Sequence, residues 1–174
     1  MKAAAQALLR TAQAMIVQAA GDESQYQQWV LQLASHDVQV QVPAIWALQY
    51  AGVTVIPTLV AGLSHAHARI RRNCVDIIDH GGYGGDVRCV NGLIRLLCDP
   101  IAHIRRAAWH TLGCERCRQS TLCVYPSPAL DHAALLLEYG VTDPNPALRQ
   151  QLRAELQVYA DDPRVMAFWQ QELM

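Results

Sequence analysis

A single phenylalanine stands among 174 residues, and all aromatics together make up 6% of the chain. Alternating runs of Thr, Val and Tyr are scarce too, which disfavours a sheet-rich fold, because half-buried strands are built from such residues. Excess charge of either sign is also lacking: the formal net charge is −1 and the pI about 6.6. There is thus no global basic field to gather nucleic acid or an anionic membrane. No run of about 20 apolar residues, the length a bilayer-spanning helix needs, occurs anywhere. The Ala- and Gln-rich start at Met1, Lys2 and Ala3 has no long apolar core followed by a cleavage site, so it does not read as a signal peptide. Without such a signal, the six cysteines are expected as thiols in a reducing cytoplasm, or as metal ligands, rather than as a disulfide framework.

What the chain does contain is apolar and periodic. Apolar residues are 52% and charged residues 17%, a balance that argues against disorder and allows a substantial core at this length. Residues Ala3 to Ala20 predict an Ala/Leu/Gln-rich helix stopped by Gly21. Asp22 or Ser24 is placed to cap a second helix, whose Tyr26, Trp29, Val30 and Leu33 share a face.

From Ser35 onward a repeat emerges. The pairs Val40-Gln41, Ile70-Arg71, Ile104-Arg105 and Leu148-Arg149 follow one another at separations of 30, 34 and 44 residues. Each opens an i, i+4, i+8 stripe: Val40/Ala44/Leu48, Ile70/Cys74/Ile78, Ile104/Ala108/Leu112 and Leu148/Leu152/Leu156. The clearest copy runs from Cys98 to Cys117. Asp99 is predicted to cap its helix, Pro100 to take the first helical position and Gly113 to end the last turn. Asp99-Pro100 recurs in register as Asp143-Pro144. Each first helix is followed by an apolar second one, at Val55 to Leu63, Val87 to Leu97, Leu130 to Tyr139 and Val165 to Leu173. A hairpin of this kind cannot bury its apolar face alone, and stacking on neighbours gives one continuous core. Pro43 is expected to delay or kink the first regular helix. Gly81-Gly82-Tyr83-Gly84-Gly85, expected as a wide mobile turn, and the stretch from Cys114 to Pro128 are longer connections than the unit needs, and read as insertions on one edge.

The pattern Asp-Pro-x3-Ile-Arg-Arg-x-Ala followed by an apolar helix resembles a HEAT repeat of the short bacterial kind. It is similar to the HEAT-like repeats of phycobilin lyases and of a broader bacterial set of HEAT proteins without assigned activity. The resemblance runs from about Ser35 to the C-terminus. The first unit departs from it, with Gln41 and Pro43 where the basic and the small residue belong. It implies an all-α fold: a short right-handed superhelix (solenoid) of about five helical hairpins. Residues 1–174 then form one domain, with an irregular cap pair at 1–34 and repeats at 35–63, 64–97, 98–141 and 142–174. It also implies a non-enzymatic scaffold that binds another protein, and brings no catalytic set to transfer. The residues expected to meet that partner are Asn91, Arg95, His132 and Glu138, which interrupt the apolar pattern of the second helices. A bilin lyase or isomerase is the enzyme reading that the same resemblance allows.

Chemistry peculiar to this chain is expected at one edge. Cys114 and Cys117 form a Cys-x-x-Cys at a helix C-terminus, Cys123 follows, and His110 stands at i, i+4 before Cys114. The repeat register sets His80 opposite Cys114, and equivalent positions on stacked hairpins lie about 10 Å apart, so His80 or Asp79 is placed to close a site. Such a set would take zinc, or act as a redox-responsive thiol pair, although a complete zinc signature would show a second matched pair. A helix C-terminus raises a thiol pKa, so a nucleophilic cysteine is not expected there. Cys74, Cys89 and Cys98 read as packing residues. Asp76, Asp79 and His80 beside the glycines read as helix closure rather than acid/base machinery. Arg69, Arg71, Arg72, Arg105 and Arg106 form a band that a nucleic-acid binder would use against phosphates. In HEAT-like repeats, however, the arginine of the Ile-Arg pair bonds the inter-repeat turns, such as the Asp of the next unit, and near-neutral net charge favours that structural role. Trp29, Trp46, Trp109 and Trp169 are spread over different units, as core packing requires.

Overall fold

The computed structural model describes residues 2–18, 22–113 and 130–173. Gly21, and the stretch holding Cys114, Cys117 and Cys123, lie outside the described residues. The chain divides into two compact units, Met1–Pro128 and Ala129–Met174. Among the described residues all regular structure is helical and no strand occurs.

The first unit contains α1 (Lys2–Gln18), α2 (Glu23–Gln32), α3 (Val38–Tyr50), α4 (Ile56–Gly62), α5 (Ala68–His80), α6 (Val87–Leu96) and α7 (Ala102–Gly113). Helices two apart in sequence pack on each other: α1 on α3, α3 on α5 and α5 on α7, and likewise α2 on α4 and α4 on α6. Within this unit the helices therefore alternate between two layers, which meet where α2 packs on α3, α4 on α5 and α6 on α7. The predicted stripes face that meeting. Ile70, Cys74, Ile78, Ile104, Ala108 and Leu112 are all buried, and so are Tyr26, Trp29, Val30 and Leu33 of α2. Val40 is the exception at 38% exposed, although Ala44 and Leu48 below it are fully enclosed.

Short side chains let the helices close up. A Cβ on Gly62 would stand 2.4 Å from Cys74 Sγ, and one on Gly92 would stand 2.5 Å from Leu63 Cδ1. Both positions are closed to any larger residue unless the neighbour moves. Pro43 neither delays nor ends its helix. α3 starts at Val38 behind the cap of Asp37, whose carboxylate accepts from Gln39 N–H at 2.8 Å, and Pro43 is buried within it. The change of direction comes later, at Gly52 (φ +78°), where α3 and the segment Val53–Gly62 are bent by 111°. A positive φ suits glycine, so the corner sits on the residue that tolerates it.

The second unit holds α8 (His132–Leu135), which runs into a π-helical turn (Leu136–Gly140), then α9 (Pro146–Leu156) and α10 (Pro163–Glu172). Leu148, Leu152 and Leu156 are buried as their spacing requires. Asn145 caps α9 by accepting from Leu148 N–H at 3.0 Å. Arg164 bridges Asp162 and Asp131, at 2.6 Å to each. Phe168 and Trp169 meet edge to face with centroids 4.9 Å apart, and Arg153 lies over the Phe168 ring.

The turns before the first helices repeat in detail. Register positions 35, 65, 99 and 143 carry Ser, His, Asp and Asp. In each, the side chain accepts from the backbone N–H two residues on. Ser35 Oγ takes Asp37 at 3.0 Å, His65 Nδ1 takes His67 at 3.0 Å, Asp99 Oδ1 takes Ile101 at 2.9 Å, and Asp143 Oδ1 takes Asn145 at 2.8 Å. The arginine six residues further donates back to the same residue's carbonyl: Arg71 to His65 at 2.9 Å, Arg105 to Asp99 at 2.7 Å, and Arg149 to Asp143 at 2.5 Å. Asp99 thus closes a turn and does not cap α7. The helix begins two residues later than expected, after Ile101, whose carbonyl accepts from Ile104 and Arg105. Pro100, which cannot donate, sits inside that turn.

Candidate functional site

The residues expected to carry chemistry at the C-terminal edge of α5 and α7 come together in part. Ile77 and Ile78 are buried, which draws the end of α5 inward and carries Asp79 with it, so that the Asp79 side chain is only 7% exposed. Asp79 Oδ2 lies 3.7 Å from His110 Nε2 and 3.9 Å from His80 Nδ1, beyond hydrogen-bond length in both cases. Asp79 Oδ1 is buried and has no hydrogen-bond partner among the described residues. The two imidazoles are largely exposed, at 65% for His80 and 60% for His110. His80 Nδ1 is 2.8 Å from the Asp76 carbonyl. That bond is made with Nδ1 carrying the hydrogen, which leaves Nε2 as the ring's acceptor. The result is a buried carboxylate at a helix C-terminus, where the backbone dipole is itself negative, with two protonatable rings over one oxygen.

The glycine connection beside this site is locked rather than wide and mobile. Gly82 to Gly85 are buried, and Gly82 takes φ +73°. Tyr83 turns inward and donates its hydroxyl to Gln49 O at 2.8 Å, while Gln49 Nε2 donates to His80 O at 3.2 Å. Burial pushes the Tyr83 phenol up to about 12, so it stays a donor throughout the physiological range. Asp86 closes the stretch by accepting from Arg88 N–H at 2.9 Å, and the Arg88 guanidinium holds its carboxyl below the usual range.

Of the proposed metal ligands, His80 and His110 face one carboxylate oxygen, while Cys114, Cys117 and Cys123 lie outside the described residues. Among the described residues no group of three or more His, Cys, Asp or Glu side chains is arranged to hold a metal ion. Cys74 and Cys89 are buried, and burial raises the Cys74 thiol to about 12. Cys98 is exposed, against the expectation of a packing role, because it ends the turn after α6 instead of facing α7.

The arginine band is largely spent within the fold. Arg71 Nε and Nη2 clasp Asp99 at 2.6 and 3.1 Å, and Nη1 also reaches Ala66 O at 2.9 Å. Arg69 donates to Ser35 O at 3.1 Å, Arg72 pairs with Asp76, and Arg105 is 4% exposed. The expected bond from the Ile-Arg arginine to the next unit's aspartate is therefore present as Arg71–Asp99. In the first unit, Asn91 and Arg95 are exposed on α6, as an interaction surface needs. In the second, Glu138 is exposed on the π-helical turn and His132 is half-buried at the start of α8.

Asp79, read from the sequence both as helix closure and as a residue placed to close the edge site with His80, is the buried group there. Ser35 and His65, the counterparts of Asp99 and Asp143, were missed. Only the register of 30 and 34 residues could have exposed them, since a hydroxyl, an imidazole and a carboxylate fill one acceptor role. Among the described residues no single helix is long and apolar enough to cross a membrane. Set against family models, curated proteins and solved structures, the chain matches none.

Proposed function

We propose that this chain is a non-enzymatic protein-interaction scaffold, a short solenoid of HEAT-like hairpins that binds a partner through its second helices. The carrying observation is the fourfold recurrence of one turn lock, with Ser35, His65, Asp99 or Asp143 as acceptor and an arginine clasping the same backbone in three copies. Polar groups that a binder of phosphates would leave outward are used here to join turns. The first unit's helices also pack on the helix two places on, as stacked hairpins do. The residues left for a partner are those exposed on second helices, with Asn91 and Arg95 foremost. The test is proximity crosslinking from a photoreactive residue at position 91 in the native host. A defined partner captured by the wild type and lost in Arg95→Glu supports the reading. Equal capture of the same proteins from position 91 and from position 39 on the first-helix layer overturns it.

A second reading, a zinc-stabilised edge, draws on the convergence of His80 and His110 on Asp79; Cys114, Cys117 and Cys123, outside the described residues, are the further ligands the sequence offers. Elemental analysis of protein purified without chelator decides it. Stoichiometric zinc that disappears in Cys114→Ser/Cys117→Ser supports that reading, and its absence from the unaltered protein removes it.

A further inference from the structure

The four equivalent turns differ chemically in one respect. Ser35, Asp99 and Asp143 accept with oxygen, whereas His65 accepts with Nδ1. The donor is the main-chain N–H of His67, so Nδ1 carries no hydrogen and the ring is the neutral Nε2–H tautomer. Protonation places a hydrogen on Nδ1, and the His67 N–H then faces a second donor. The same step adds a positive charge to the segment whose carbonyls, at His65 and Ala66, are already held by Arg71.

Asp99 has both oxygens engaged by Arg71, and its Oδ1 also accepts from Ile101. The other charged or titratable groups in these turns and the helix starts after them are His67, Arg69, Arg71 and Arg72, His36 and Asp37 of the preceding turn, and Cys98, Asp99, His103, Arg105 and Arg106 of the following one. Asp37 is committed to capping α3, Arg69 to Ser35 O and Arg105 to Asp99 O. The histidines among them can contribute only positive charge. The N-cap residue of α5, His67, makes no side-chain capping bond, and neither does Ile101 before α7, whereas α3 and α9 are capped by Asp37 and Asn145.

We propose that His65 makes the turn between α4 and α5 a proton-sensitive latch. It is closed while the imidazole is neutral and Nδ1 accepts from the His67 N–H, and released when the ring is protonated. Release loosens the first turn of α5 and the backbone end of the Arg71 clasp. The latch is a property of the fold and stands whether or not the scaffold reading holds.

Nuclear magnetic resonance of the full chain tests this directly. At pH 7.5 the His65 imidazole nitrogens should report hydrogen on Nε2 alone. The amides of Ile70 and Arg71 both donate to His67 O, and those of Ile104 and Arg105 donate to Ile101 O in the equivalent oxygen-locked turn. Corrected for intrinsic exchange, opening of the first pair should rise about fivefold between pH 7.5 and 5.0, the factor one net hydrogen bond is worth, while the second pair stays level. In His65→Asp, which installs the acceptor used at 99 and 143, the rise should vanish. Hydrogen on Nδ1 at pH 7.5, no rise in the wild type, or an equal rise in His65→Asp each overturns the latch. The tautomer measurement needs only the unaltered protein.

Discussion

Replacing Arg71 by Met removes a guanidinium that donates four hydrogen bonds, two to Asp99 and one each to the carbonyls of His65 and Ala66. The Asp99 side chain is 2% exposed and that of Arg71 12%, so the loss strands a buried carboxylate with only the Ile101 N–H. Breaking a buried pair from one side costs about 3–5 kcal/mol, most of it the penalty of the charge left behind. The comparison is built into the next residue. Arg72 pairs with Asp76 at i, i+4, but those side chains are 34% and 38% exposed, and solvent screening leaves such a pair worth at most about 0.5 kcal/mol. Urea unfolding followed by circular dichroism should therefore separate Arg71→Met from Arg72→Met by several kcal/mol at an unchanged m-value. Arg71→Met/Asp99→Asn should recover part of the loss, because the stranded charge is gone. Arg71→Lys should recover little, since an ammonium cannot span two carboxylate oxygens and two carbonyls as the fork does. If Arg71→Met and Arg72→Met cost the same, the clasp between turns is ornamental and the reasoning from burial fails.

Four further outcomes follow from the same geometry. Asp79→Asn removes a charge from a buried, under-partnered site at a helix C-terminus and should stabilise the protein by about 1 kcal/mol near pH 8; a loss of stability would mean that the carboxylate is satisfied. Gly62→Ala drives a methyl to within 2.4 Å of Cys74 Sγ and should cost about 1–3 kcal/mol, recovered largely in Gly62→Ala/Cys74→Ala; additive losses in thermal melts would refute the contact. With Cys114, Cys117 and Cys123 changed to Ser, a thiol reagent at pH 8 should modify Cys98 rapidly and leave Cys74 and Cys89 untouched until unfolding, as peptide mass spectrometry will show. The Arg164 guanidinium draws the Asp162 carboxyl down to about 2, so any stabilisation from that pair is present above the ordinary aspartate range and lost as pH falls toward 2. Arg164→Met should move the Asp162 titration upward, short of the ordinary range because the backbone N–H of residue 164 still donates to the carboxylate, and an unmoved carboxyl resonance would contradict the pairing.

How much of this was legible depended on whether one residue type alone could do the job. Burying a stripe demands apolar side chains at helical spacing, so Ile70/Cys74/Ile78 and Ile104/Ala108/Leu112 announced their faces. The Arg71–Asp99 clasp was readable because a bidentate pair needs those two groups. The turn lock was half hidden. One acceptor atom suffices there, and Ser35, His65 and Asp99 supply it with different chemistry. Val40 misled because its register is right while its position, at the start of α3, leaves it 38% exposed. Five residues with four glycines read as slack, but Tyr83 anchors the stretch through a single hydroxyl, a tertiary contact without local signature. Asp79 and His110 are 31 residues apart, and the repeat register set them at one edge; that Asp79 is buried there, with one oxygen facing the ring, needed the packing of α5 on α7.

The two ends of α5 and α7 are consequently unlike. At their N-terminal ends nearly every polar group found is consumed in joining one turn to the next: Ser35, His65, Arg69, Arg71, Asp99 and Arg105 all spend their bonds on backbone or on each other. About 20 Å away, the length of the 13 residues of α5, the C-terminal ends hold a carboxylate with one oxygen unpartnered among the described residues, under two exposed imidazoles. A buried carboxylate with an unpartnered oxygen is expected to cost more than an uncharged residue of the same shape. A stability gain in Asp79→Asn would therefore do more than confirm a local penalty. It would mark the edge where α5 and α7 end, rather than the locked turns, as the place where this chain gives up stability for a role outside its own fold.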